Sequence, residues 1–383
     1  MYLLKTELKK LISMPMLWVF LLICLVLNFG IIFVNQYKLV DASYFSYVGD
    51  TASVTGKVLG KEFSKKLSAM PDSANKSRLT SETQNATEVY ADYDAAALAD
   101  AYIGLYEISG AGAELLSEKY GKLQTAVQKL DQAGAEFSLY SAGTTVQMHQ
   151  LLFGTVFRAM ITESCILAVL VMLYLRTYEY QNKTELMVYA TKTGRGIYKY
   201  KFCSGIMISV FYFVLIAFVT LVVYFSVFDY SGIWGSSVSS GFNFISDMIG
   251  VKPFITWIPF TVKGYLTVML GLGLGLTLVF AMMGAFIGFA VRNSYVGTML
   301  FFLLAMAMMT VPYIFSKAGI WSWYFLLQLT PVRIWFVIPE WLTDLGSVSV
   351  MPYHETVGII LNLLVWGSLV FGAYQYVKRK DVA

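Results

Sequence analysis

Six stretches of this chain stay apolar for longer than a soluble helix needs: residues 16–34, 153–175, 202–228, 265–290, 295–315 and 357–377. About 20 predominantly apolar residues in a helix cross roughly 30 Å of hydrocarbon. Lipid offers the backbone no hydrogen-bonding partner, so runs of this kind must pair their N–H and C=O groups internally, as helices do. The expectation is an all-α integral membrane protein with six transmembrane helices. Composition agrees, since 14% of the residues are charged against about 25% in soluble domains. The first run is too long for a signal-peptide core and has no small-residue cleavage site after it, so it reads as an uncleaved anchor.

Lys and Arg in the short loops set the orientation. The N-terminal residues 1–15, the loop 176–201, the turn after residue 290 and the tail 378–383 together hold thirteen of them. The short loops on the other side hold only Lys252, Lys263, Lys317 and Arg333. Both termini and the 176–201 loop are therefore expected in the cytoplasm. Residues 37–150, 229–264 and 316–355 are expected outside. The net charge of +4 is spread over many loops, which excludes a nucleic-acid-binding face. Cys24, Cys165 and Cys203 lie in or beside apolar runs, so no disulfide framework is expected.

The long outer segment, 37–150, carries 14 acidic and 10 basic residues. In it Leu116, Tyr120, Leu123, Val127 and Leu130 repeat at four-three spacing, the seam of a paired helix. Leu98, Tyr102 and Leu105 mark a second helix. Pro71-Asp72-Ser73 and Gly110-Ala111-Gly112 read as breaks. A helical hairpin or three-helix unit above runs 1 and 2 is expected, serving as a spacer, a lid or a docking site. At the other end, Leu4, Leu8, Leu11 and Ile12 share a helical face while Lys5, Lys9 and Lys10 point elsewhere. That pattern predicts an amphipathic interfacial helix over residues 1–15.

Signs of chemistry are sparse. No G-x-x-x-x-G-K-[ST] phosphate loop exists, and GKVLGK at 56–61 has the wrong spacing. The glycines of GLGLG fall inside the fourth run. There Gly271 and Gly275, and further on Gly284 and Gly288, predict close helix packing. His149 and His354 are far apart and lack companion ligands, so no metal site is expected. No nucleophile–base–orienter pattern stands out. The chain therefore reads as a non-enzyme with no cofactor of its own. The second run contains two charges, Arg158 and Glu163. They lie about 140° apart around a helix, so they do not simply pair. Arg158 is expected to snorkel outward. Glu163 needs a neighbour, for which Asn28 of the first run is a candidate, either as a structural contact or on a translocation path.

The six runs, the amphipathic leader, the polar 176–201 loop and the outer segment 316–355 together resemble a permease subunit of the ABC type-2 exporter family. Many members carry, after span 2, a Glu, a Gly-Thr-x-x-Leu-like turn, a Thr-Pro or similar, an Arg, and a Lys leading into span 3. This chain has Glu179, Lys183-Thr184-Glu185-Leu186, Thr191-Lys192-Thr193-Gly194-Arg195, then Lys199 and Lys201. Lys183 stands where the family has glycine, and no proline follows Thr193. The overall pattern is similar to permeases of Gram-positive bacteria that move peptides, lantibiotics or drugs and confer antimicrobial peptide resistance.

The resemblance implies a bacterial plasma-membrane protein working with a second permease copy or paralogue and two cytoplasmic ABC ATPase subunits. ATP and Mg are then bound by those partners. A short coupling helix near 183–190 inserts into a cleft of the ATPase, with Leu186, Met187 and Tyr189 as apolar anchors. Glu179 and Glu185 meet basic residues there, and Lys183, Thr184 and Arg195 complete the coupling segment. Arg195, Lys199 and Lys201 also suit anionic membrane lipids. In 316–355, Trp321, Trp323, Tyr324, Trp335 and Trp341 sit where an aromatic belt belongs, and Pro331 ends a short helix. The segment is a partly inserted hairpin or an interfacial loop. Two other classes are compatible with the residues alone: a secondary transporter, and a membrane sensor or immunity protein with an outer ligand-binding domain.

Overall fold

A computed structural model describes residues 2–39, 63–83, 89–137, 144–191, 194–241 and 243–379. The GKVLGK stretch, Lys192, Thr193, the tail from 380 and parts of 37–150 lie outside the described residues. The chain is mostly helical, and six of its helices are long and apolar enough to cross a membrane. This is the architecture of a multi-pass membrane protein.

In chain order, α1 is Tyr2–Ile12, α2 Pro15–Leu39, α3 Phe63–Ala69, α4 Ala74–Thr83, α5 Ala95–Tyr106 and α6 Ala111–Gln132. Next come α7 (Thr144–His149), a π-helical turn Gln150–Val156, α8 (Phe157–Gln181), α9 (Glu185–Tyr189) and α10 (Ile197–Val227). Strands β1 (Phe244–Asp247) and β2 (Gly250–Pro253) precede α11 (Val262–Ala290) and α12 (Ser294–Lys317). The chain then runs through α13 (Trp321–Leu327) and α14 (Pro331–Phe336) to α15 (His354–Arg379).

The helix α8 is the axle of the bundle. In its span 72% of the apolar window is buried, against 11% for α12. Around it stand α2, α10, α11 and α12, and α15 packs on the far side of α11. The α8–α11 contact is close because α11 presents small residues. A Cβ on Gly284 would stand 2.9 Å from the Cα of Val169, and one on Gly288 would stand 2.8 Å from the Arg176 side chain. Gly275 meets Ile359 of α15 at 2.9 Å. Gly271 does not share this role, since nothing lies within 4 Å of its Cβ position.

The bundle has two unlike ends. One carries α1, α9 and the last turn of α15 and is rich in Lys and Arg. The other is a cap built from α5, α6, the 229–261 segment and the 318–353 segment. Strands β1 and β2 form an antiparallel ribbon with Phe244 opposite Pro253 and Asp247 opposite Gly250. This ribbon departs from the all-α expectation. Its two-residue turn is closed by Asp247, whose carboxylate accepts from the Ile249 N–H at 2.9 Å.

Leu116, Tyr120, Leu123, Val127 and Leu130 are all fully buried on α6 and face α5. Asp94 caps α5, and Gly110 makes the break at φ +58°. The sequence suggests a hairpin above the first two spans; among the described residues it docks instead on the other cap segments. Its apolar seam is completed by Ile255, Trp257, Trp321 and Phe325 from the other two cap segments.

Candidate functional site

Three groups of polar residues stand out along the bundle axis: one at the basic end, one in mid-bundle and one in the cap.

At the basic end α8 closes in a Schellman motif. The Thr184 N–H donates to Glu179 O at 2.9 Å and the Lys183 N–H to Tyr180 O at 3.2 Å. Lys183 holds the left-handed position, φ +56°, which glycine adopts without the Cβ penalty. The chain then turns at once into α9. Leu186 is 64% exposed and Met187 72% exposed on this short helix. Tyr189 faces the other way. Its hydroxyl lies 2.6 Å from that of Tyr198 on α10 and 3.4 Å from that of Tyr180 on α8. Arg195 lies over the Tyr189 ring at 5.3 Å and donates to Val377 O at 2.8 Å, near the end of α15. Two large apolar side chains therefore point outward from a platform tied to three spans.

Glu179 is not part of that outward face. It is buried, pairs with Lys201 of α10 and takes a second ammonium from Lys10 of α1 at 3.3 Å. Its expected role as a contact for a partner's basic residues is corrected by this burial, because both carboxylate oxygens are already engaged within the chain. Glu7 of α1, also buried, binds Lys10 at 2.6 Å. Burial disfavours the Lys10 ammonium, but Glu7 and Glu179 outweigh it and raise its pKa. The two lysines and two glutamates therefore knit α1, α8 and α10 together. The leader is more than an interfacial helix: Leu11 is fully buried against the bundle, while Ile12 is exposed. Glu185, at the first turn of α9, is half-buried.

One turn before Glu179, Arg176 is buried in an aromatic box. Its guanidinium lies 3.8 Å from the Tyr198 ring centroid and 4.6 Å from that of Phe289. In the sequence Arg176 shows only as one of the basic-loop charges. Its Cβ lies against Gly288, so the small residue on α11 is what admits it.

In mid-bundle the structure brings Asn28 and Glu163 together. Asn28 Nδ2 donates to Glu163 Oε2 at 2.9 Å and to Thr220 Oγ1 of α10 at 3.1 Å. Asn28 is fully buried and Glu163 nearly so. Arg158 does not join them. It lies over the rings of Trp335 and Phe336 at 5.2 and 5.4 Å, at the cap side of the bundle.

In the cap, Lys252 Nζ lies 2.7 Å from Asp344 Oδ2 and 3.0 Å from the Tyr102 hydroxyl. Tyr120 donates to Asp344 at 2.7 Å and Tyr102 to Asp247. Lys119 of α6 is fully enclosed and directs its ammonium at the carbonyls of Asp344, Gly346 and Ser349, at 3.0, 2.6 and 2.9 Å. Of these residues the sequence marks only Tyr102 and Tyr120, as helix-seam positions, and Lys252, as an outer-loop charge; their meeting is not marked. Their sequence separation left no local pattern to read. Among the described residues no group of three His, Cys, Asp or Glu is placed to hold a metal.

No family model matches the chain, and neither the curated proteins nor the solved structures contain a significant match to it.

Proposed function

We propose that this chain is the permease subunit of an ATP-driven ABC exporter in a bacterial plasma membrane. In this reading the basic end faces the cytoplasm and the cap faces outward. Two permeases, identical or paralogous, enclose a path for a peptide, a lantibiotic or an amphipathic drug. Two separate ATPase subunits bind ATP and Mg and drive the cycle. The observation that carries the reading is the outward pair Leu186 and Met187 on α9, beside the spans rather than within the lipid-crossing surface. Water-exposed side chains of this size on a five-residue helix gain ~1.5–3 kcal/mol each when buried. A groove on a partner provides that burial.

The ties behind α9 support the same reading. Tyr189, Tyr180 and Tyr198 link it to α8 and α10, and Arg195 links the following turn to α15. A push on α9 therefore reaches α8 and α10 through Tyr189, and α15 through Arg195, which lies over the Tyr189 ring. The left-handed Lys183 also matches the position at which the resembled family carries glycine. Glu179, by contrast, acts inside the permease, coupling α1 and α10 to the base of α8.

The test is a pull-down of the tagged permease from mild detergent, followed by substrate-stimulated ATPase activity. An ATPase subunit should co-purify with the native chain. Leu186→Asp with Met187→Asp should abolish co-purification or uncouple hydrolysis from substrate, while membrane insertion stays normal. A fully coupled partner on the double variant overturns the proposal, and absence of any ATPase from the native preparation favours a sensor or a secondary transporter.

A further inference from the structure

Between the start of α8 and the cap lies a cavity of about 280 Å³. Its floor is the π-helical turn, which contributes Gln150, Phe153 and Gly154. A π turn packs an extra residue into the helical repeat, and such turns gather at functional sites. The walls are aromatic. Phe153 meets Tyr265 edge-on at 4.7 Å and Phe254 meets it at 5.9 Å.

Several polar side chains of this cavity are already engaged. Gln150 Nε2 donates to Phe244 O at 3.1 Å, and Asn243 Nδ2 to Val238 O at 2.9 Å. The Tyr265 hydroxyl donates to Trp341 O at 2.9 Å. His149 is settled by a chain of hydroxyls. Tyr224 donates its proton to Met148 O at 2.6 Å, so at the 3.3 Å contact with Tyr230 it accepts. Tyr230 has thereby spent its own proton and accepts from His149 Nδ1 at 3.1 Å. The other ring nitrogen, Nε2, keeps a lone pair on the opposite edge of the ring, buried and without a partner among the described residues. Glu340, on the short turn Ile338–Glu340, adds a carboxylate with no ion pair or hydrogen bond among the described residues. The second N–H of each amide and the Ser246 hydroxyl at the exposed rim remain as donors, and the His149 lone pair and the Glu340 carboxylate as acceptors.

The charge at this cavity is one-sided. Burial pushes the Glu340 carboxyl above the usual range, Asp344 and Asp247 add to that, and Lys252 alone opposes it. Lys252 is already committed to Asp344 and Tyr102. Glu355, buried beyond Tyr265, brings another carboxylate and no cation. A half-buried carboxylate left without an ion pair is destabilised, and an incoming cation relieves it.

We infer that this cavity binds the ammonium group of an amphipathic amine, with Glu340 as counter-charge and Phe153 and Phe254 as the aromatic faces. Ammonium groups are held in this way by ring quadrupoles together with a carboxylate. The space takes a head group and a few carbons, at the small end of ligand pockets. As a site it stands on the cavity alone; as a point of substrate capture it rests on the exporter reading. The same ammonium chemistry is offered by a free amphiphile and by the head group of an aminophospholipid.

The test uses the full chain in an uncharged maltoside detergent, titrated with hexylammonium and, in parallel, with neutral hexanol, by calorimetry. Saturable hexylammonium binding is expected, at least tenfold weaker in Glu340→Gln. Hexanol should not distinguish the two proteins. Glu118→Gln, an exposed position paired with Lys122, should bind as the native chain does. Glu340→Gln should melt no lower than the native chain, because it removes an uncompensated charge. Phe254→Leu, which keeps the carboxylate, should weaken binding severalfold. Adding phosphatidylethanolamine to the micelles should lower the apparent affinity if the lipid head group is the occupant, and leave it unchanged if a free amine is. Native-strength binding to Glu340→Gln, or no saturable binding to the native chain, overturns the inference. Neither result touches the ATPase pull-down, so the two readings fail separately.

Discussion

Two buried carboxylates on α8 show how differently one residue type can be stabilised. Glu179 is met by two ammonium groups, from Lys10 and Lys201. Removing one member of such a cluster leaves an uncompensated charge, which costs about 3–5 kcal/mol in buried pairs. Among the described residues Glu163 has no cation beside it; its partner is the amide of Asn28, shared with Thr220. We expect Glu163→Gln to fold and transport almost normally, because Gln keeps the acceptor that Asn28 needs. Asn28→Leu should instead cost about 1–3 kcal/mol, since it strands the carboxyl without a donor. Thermal unfolding of purified variants, with transport assayed in parallel, checks both. A well-folded Glu163→Gln that no longer transports would move Glu163 from structure to pathway. The pairing of Asn28 with Glu163 was legible because an acid deep in an apolar run is rare and demands a partner. Thr220 was not, since threonine in a span usually satisfies itself on its own helix.

At the scale of elements, the cap hairpin was half legible. The four-three spacing on α6 located the seam because burial on one helical face leaves that period in the sequence. Where the seam docks was hidden, since Lys119, Lys252 and Asp344 come from three separate segments and only folding brings them together. The same holds for the ribbon β1–β2, too short for its alternation to register. Asp344 is the keystone of this docking. Burial alone would raise its carboxyl, but Lys252, Lys119 and the Tyr120 hydroxyl outweigh that and hold it at about 2. Its unfolded value is about 3.9. A depressed carboxyl stabilises fully above the unfolded value and loses that contribution as pH falls through the folded one. The docking should therefore lose about 2 kcal/mol between roughly pH 4 and pH 2. Trp257 and Trp321 lie in this interface, so tryptophan emission should shift red over that window. Asp344→Asn should show the shifted emission already at neutral pH. An emission spectrum unchanged by either would separate the cap's docking from Asp344.

For the whole molecule, the thirteen-to-four division of Lys and Arg is the one long-range property a sequence states outright. It orders the spans across a membrane without knowing how they pack. Packing was less legible: the centrality of α8 follows from its burial, and a span's hydropathy does not say which neighbours it meets. The fold supports the sorting by placing α1, α9 and the end of α15 at one end and the cap at the other. Ser117 on α6 and Asn182 after α8 are both exposed and stand at opposite ends. Single cysteines at these positions, in a background lacking Cys24, Cys165 and Cys203, give a direct test. An impermeant thiol reagent applied to intact cells should label position 117 and spare position 182, and permeabilisation should expose 182. Cytoplasmic placement of 182 is what an ATPase partner requires, because ATP is supplied only on that side. Labelling of 182 on intact cells would put α9 outside, where no such partner can reach Leu186 and Met187, and the exporter reading would fall with it.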